Sequence, residues 1–123
     1  ESGVKLSHEM DKYAVKYLED HALLESGEKV LAYYDETMSM DGSEAAILTD
    51  RRMMHHSGGT TTAVRLTEVV DIRHRKETLI GDIIEAEDES GLILKIEIAP
   101  LNQGETFKNQ AMSAWKKARG KAS

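Results

Sequence analysis

Between Ala46 and Lys76 the chain changes character several times within a few residues. The apolar run Ala46-Ile47-Leu48 stops at Thr49-Asp50, Arg52 to His56 follows at once, and Ser57-Gly58-Gly59 breaks the chain again. Thr61 to Leu66 then ends in the corner Leu66-Thr67-Glu68-Val69, and a new run begins at Val70. Runs this short, separated by turn residues, read as neighbouring antiparallel strands. The order argues for an up-and-down sheet and against a nucleotide-binding α/β core.

The flanks extend that pattern. Leu6, Met10, Tyr13, Ala14, Tyr17 and Leu18 recur at three- and four-residue intervals, which predicts a helix from Ser7 to about His21, its apolar side packed on the chain's own sheet or, as the alternative, on a partner helix. From Glu28 the period becomes two, with Val30, Ala32 and Tyr34 on one face and Lys29, Leu31 and Tyr33 on the other. Asp41-Gly42 predicts a hairpin turn, and Ala45 to Thr49 returns from it. Val70 to Arg75 and Leu79 to Glu87 read as further strands, the latter with a bulge at Gly81-Asp82. Asp88 to Gly91 turns, and Leu92, Leu94, Ile96 and Ile98 alternate with Ile93, Lys95 and Glu97 up to the single proline, Pro100. Phe107, Ala111, Ala114, Trp115 and Ala118 then mark one face of a closing helix that ends near Ala118. The expected layout is helix, seven short strands, helix.

At 123 residues the chain is long enough for one domain with its own core. No apolar run approaches the roughly 18 residues of a membrane span, no leader pattern is visible, and a cytoplasmic location is expected. The absence of cysteine rules out disulfides, thiolate catalysis and cysteine-based zinc fingers. A net charge of −6 argues against nucleic acid as a partner. That charge is uneven: −8 over residues 1–50, +4 over 51–76, −7 over 77–105 and +5 over 106–123.

The positive middle block contains Arg51, Arg52, Arg65, Arg73, Arg75 and Lys76. Its plain reading is a solvated face paired with acidic neighbours around Glu85, Glu87, Asp88 and Glu89. Its functional reading is a patch for an acidic peptide, a phosphate or an anionic membrane surface. Period two sets Asp71, Arg73 and Arg75 on one face and Val70, Ile72 and His74 on the other. His55, His56 and His74 do not make a metal site, because adjacent histidines of a strand point to opposite faces and further ligands are missing. Met38, Met40, Met53 and Met54 read as core filling at the barrel mouth, with an adaptable binding surface as the alternative. Asp82, Glu85 and Glu87 lack a catalytic partner at a convincing spacing, and Thr60-Thr61-Thr62 lacks the lysine of a phosphate loop. No catalytic residue and no cofactor is expected.

Three segments carry a resemblance: Gly27-Glu28-Lys29-Val30-Leu31-Ala32, Ala46-Ile47-Leu48-Thr49-Asp50-Arg51-Arg52, and Arg65-Leu66-Thr67-Glu68-Val69-Val70-Asp71-Ile72. Their order and spacing resemble the bacterial branch of the pleckstrin-homology-like superfamily over roughly residues 24–118. The resemblance implies a bent antiparallel barrel of about seven strands, its open corner plugged by the C-terminal helix. The domain would then occupy residues 24–119, after an N-terminal helix over 1–23 and before a tail over 120–123. It further implies a non-catalytic interaction or scaffolding module with a protein or peptide partner, self-association included. Phosphoinositide-binding members use basic residues around the first hairpin. Here that segment, Asp35 to Glu44, carries the four carboxylates Asp35, Glu36, Asp41 and Glu44, so headgroup binding is not carried over. The alternative expectation is a peripheral membrane or anionic-ligand adaptor using the Arg51–Lys76 block.

Overall fold

The computed structural model describes residues 3–10, 12–21, 23–36 and 44–122. In chain order the elements are β1 (Lys5–Leu6), a 3-10 turn (Ser7–Glu9), α1 (Lys12–Asp20), β2 (Val30–Asp35), β3 (Glu44–Thr49), β4 (Arg52–Ser57), β5 (Thr60–Arg65), β6 (Val69–Glu77), β7 (Gly81–Asp88), β8 (Ile93–Ile98) and α2 (Gly104–Ala122). The expected turn at Asp41-Gly42 and the side chains of Met38 and Met40 lie outside the described residues. Among the described residues, no helix is long and apolar enough to cross a membrane.

The strands form two antiparallel sheets, ordered β1-β2-β3-β4-β5 and β6-β7-β8, and these do not join into a closed ring. The division falls at the Leu66-Thr67-Glu68 corner. Before it, the Leu66 amide donates to the Arg51 carbonyl of the first sheet at 2.9 Å; after it, the Glu68 carbonyl accepts from the Glu89 amide at 2.9 Å, beside the second sheet. The chain is therefore handed from one sheet to the other within a few residues.

The main core lies between the sheets. Ala32, Leu48, Met53, Ile84, Ile96 and Ile98 are sealed there, and α2 closes the space with Phe107, Ala111, Ala114, Trp115 and Ala118. Trp115 is buried, and its indole Nε1 donates to the Val69 carbonyl at 2.9 Å. A second core covers the opposite face of the first sheet, where Ala14 and Leu18 of α1 pack on Tyr33, Ala45, Ile47 and Met54. Because both faces of β3 are covered, Ala45 to Thr49 is buried without interruption. A strand buried on both sides reads as a continuous apolar run instead of an alternation. Met53 and Met54 fill opposite cores, as adjacent strand residues must.

Several boundaries depart from expectation, each for a local reason. The first helix does not begin at Ser7: Lys5 and Leu6 pair with Tyr33 and Ala32, Ser7 opens the 3-10 turn, Met10 is extended, and α1 starts at Lys12. In β2 a register shift between Val30 and Ala32 reverses the faces, so Leu31 joins the main core and Val30 the α1 core. A second shift between Val69 and Asp71 turns Val69 inward with Ile72 and leaves Val70 exposed. β7 begins at Gly81, whose φ of 106° suits a glycine turn, so Leu79 and Ile80 precede the strand and are exposed. α2 continues to Ala122, through most of the expected tail.

Candidate functional site

A buried clasp holds the segment between α1 and β2 against the turn joining β3 to β4. Arg52 donates through Nε to Glu28 Oε2 at 2.9 Å and through Nη2 to Glu28 Oε1 at 2.5 Å, a two-pronged pairing. The Thr49 hydroxyl donates to Glu28 Oε2 at 2.6 Å, and the Glu25 amide donates to Glu28 Oε1 at 2.8 Å. Arg52 Nη2 also reaches the Leu23 carbonyl at 2.8 Å. Burial pushes the Glu28 carboxyl up, but the bonds from Arg52, Thr49 and the Glu25 amide outweigh it and hold the group at about 2. The Glu28 bonds push the Arg52 guanidinium up against its own desolvation. Nearby, Arg65 and Arg51 both pair with the exposed Glu25, whose carboxyl is lowered mainly by the Arg65 bond.

The clasp fixes the path of Leu24, Lys29 and Val30, and these residues border an apolar groove of about 430 Å³. Its other walls include Leu31 of β2, Met10 before α1, and Val15 and Leu18 of α1; Glu19 and Lys29 stand at it as charged members. β1 pairs with β2 only at Ala32 and Tyr33. The groove lies at the start of β2, at Val30 and Leu31, where no β1 pairing is present among the described residues. An apolar trough beside an uncovered strand edge is suited to receive a polypeptide segment. Val15 is the partly exposed apolar side chain that α1 presents there, with 37% of its surface accessible.

α1 is pinned above the sheet by a polar contact as well as by Leu18. The buried His56 ring has Nε2 2.9 Å from the Tyr17 hydroxyl and Nδ1 2.7 Å from the Thr61 hydroxyl, while His21 stacks on Tyr17 with ring centres 3.9 Å apart. Burial pushes the His56 pKa below its ordinary 6.5, and the neighbouring His21 and His55 push it further down. The unfolded chain therefore takes up this proton more readily than the folded one. The stability linked to neutral His56 is complete above about 6.5 and is lost as pH falls below that value. Urea unfolding from about pH 7 to about pH 5 is expected to show stability falling with acid, and His56→Gln is expected to flatten the decline. An unchanged slope in the variant would remove His56 as its source.

The six basic residues read from the sequence sit on both sheets, Arg51, Arg52 and Arg65 at the β3–β4 turn, β4 and β5, and Arg73, Arg75 and Lys76 on β6. Arg51, Arg52 and Arg65 surround Glu25 and Glu28. Arg73 pairs with Asp71, Glu85 and Glu87, Arg75 with Glu77 and Glu85, and Lys76 with Glu105 of α2. The bonds that Arg73 donates to Glu87 and Asp71 raise its pKa. The pairing with Glu85 and Glu87 matches the plain reading of the block. His55 and His56 point to opposite faces, His55 toward Glu36 at 2.8 Å, and His74 contacts Asp82 at 2.6 Å on the other sheet. Among the described residues, no cluster of three or more His, Asp or Glu is arranged to hold a metal ion.

Sequence reasoning missed the groove and the clasp. Lys29 reads as a strand residue, but its place beside Glu19 at the groove depends on the turn between α1 and β2. Comparison of the chain with family models, curated proteins and solved structures finds no match.

Proposed function

We propose that the chain is a non-catalytic interaction module of pleckstrin-homology-like architecture, and that it binds an apolar stretch of a protein partner in the groove between α1 and β2. With β1 set aside, a four-stranded and a three-stranded antiparallel sheet followed by a C-terminal helix is the order such a domain would have. The observation that carries the binding reading is the groove itself: apolar walls from Met10, Val15, Leu18, Leu24, Val30 and Leu31, beside an uncovered strand edge. One acid and one base at its border suit a polypeptide segment better than a phosphate-rich ligand, which draws on clustered basic groups.

A photo-crosslinking amino acid placed at Val15 in the source cell is expected to yield discrete polypeptide adducts. The same group at Glu97, on the charged outer face of β8, is expected to yield none. With the identified partner purified, Val15→Asp should weaken binding at least about tenfold, the scale of losing a central apolar contact. Equal labelling from both positions, or no polypeptide adduct from Val15, would refute the groove as the binding site.

A further inference from the structure

We propose that the occupant of the α1–β2 groove is a second copy of this chain, related by a two-fold axis, so that each copy offers the other both a hollow and a knob. This rests on the groove being the binding surface. In a two-fold contact the same patch serves both subunits: where residue i meets j, j also meets i. The patch must therefore complement itself.

Two properties meet that condition. The first is shape: Leu24, Val30 and Leu31 line the trough together with Val15 of α1, which stands partly exposed at it. A copy approaching along the axis brings its own Val15 to the trough as it receives the other's. The second is charge. The patch carries Glu19 and Lys29, one of each sign, and neither forms an ion pair with another described residue. Around them the comparable charges are engaged: Lys16 with Asp20, Arg51 and Arg65 with Glu25, Arg52 with Glu28. Two-fold docking sets Glu19 of each copy against Lys29 of the partner subunit, so one pair of residues yields two contacts.

The chemistry disfavours other occupants. Nucleic acid and an anionic membrane surface are held by clustered basic groups, and the described lining of the groove carries a single base, Lys29. The trough accommodates only a few aliphatic side chains, so the contact belongs to the small, reversible class of interfaces. Association in the micromolar range follows.

Sedimentation equilibrium of the full chain from about 1 µM to about 1 mM tests the proposal. The wild type should pass from monomer to dimer across that range. Glu19→Lys and Lys29→Glu should each weaken dimerisation about tenfold, since each reversal turns two attractive rim contacts repulsive. The double variant should return to within about threefold of wild type, because the reversed charges attract again. Both positions are exposed, and matching melting curves of the four proteins exclude misfolding as the cause. A wild type that stays monomeric at every concentration overturns self-association, as does a dimer indifferent to the single reversals or a double variant no better than the singles. If the wild type is monomeric while Val15 still crosslinks to other polypeptides, self-association alone falls. If both fail, the groove reading falls with it.

Discussion

Replacing Arg52 by alanine is expected to cost the fold about 3–5 kcal/mol, because it leaves a buried carboxylate without its cation. The Glu28 side chain is wholly inaccessible and that of Arg52 only 15% accessible, so water cannot substitute for the missing guanidinium. The loss should exceed that of any exposed pair on the outer face of the second sheet. Removing Arg75, for example, breaks contacts between half-open side chains, and such pairs contribute roughly 0–1 kcal/mol. Urea unfolding of Arg52→Ala and Arg75→Ala side by side checks the contrast. Equal losses would mean that the clasp is no more than a surface ion pair. A Glu28→Leu, Arg52→Met double variant should recover much of the loss, since similar apolar groups need no partner.

The same carboxylate sets an acid dependence of definite sign. Glu28 titrates at about 2 in the folded chain against an ordinary 4.5. A depressed folded pKa contributes stability that is complete above 4.5 and is lost as pH falls from there toward 2. The full effect is about 3.5 kcal/mol at most, from about 1.4 kcal/mol per pKa unit. Glu28→Gln should be less stable than wild type at neutral pH, and the gap should narrow steadily below about pH 4.5. This window lies below that of His56, so the two contributions separate on one pH series.

The pattern of residues made most strands and α2 legible, for a physical reason. β8 and α2 each bury one face against the main core, so Leu94, Ile96 and Ile98, or Phe107, Ala111 and Trp115, carry the period of their own geometry. The register shifts at Val30/Ala32 and Val69/Asp71 were not legible, because one extra residue reverses the faces without altering composition. The extended path of Lys5 and Leu6 was hidden for a similar reason. Its apolar residues also fit a helical spacing, and only the free edge of β2 decides between the two. The candidate site lay further from view. Val15, Glu19, Leu24 and Lys29 are unremarkable one by one, and what joins them is the turn that Glu28 and Arg52 clasp across 24 positions of chain.

Phe107→Ala should cost about 3–5 kcal/mol, the other large effect expected of a single substitution. Phe107 is completely buried in the first half of α2, in one cluster with Ile84, Ile96 and Ile98 of the second sheet and Ala32 and Leu48 of the first. Because the sheets do not close on each other, the helix is what keeps water from the space between them. Removing the ring opens a cavity at the point where three layers meet, and rigid strands cannot collapse to fill it. Trp115→Phe should cost less, about 1–3 kcal/mol, since it keeps most of the packing but leaves the Val69 carbonyl without its donor. With a urea slope of about 1–3 kcal/mol per molar, the Phe107 variant should unfold about 2 M earlier than wild type. A loss below about 1 kcal/mol would mean that α2 lies on the sheets without sealing them, and the mechanical basis of the fold would then have to lie within the sheets themselves.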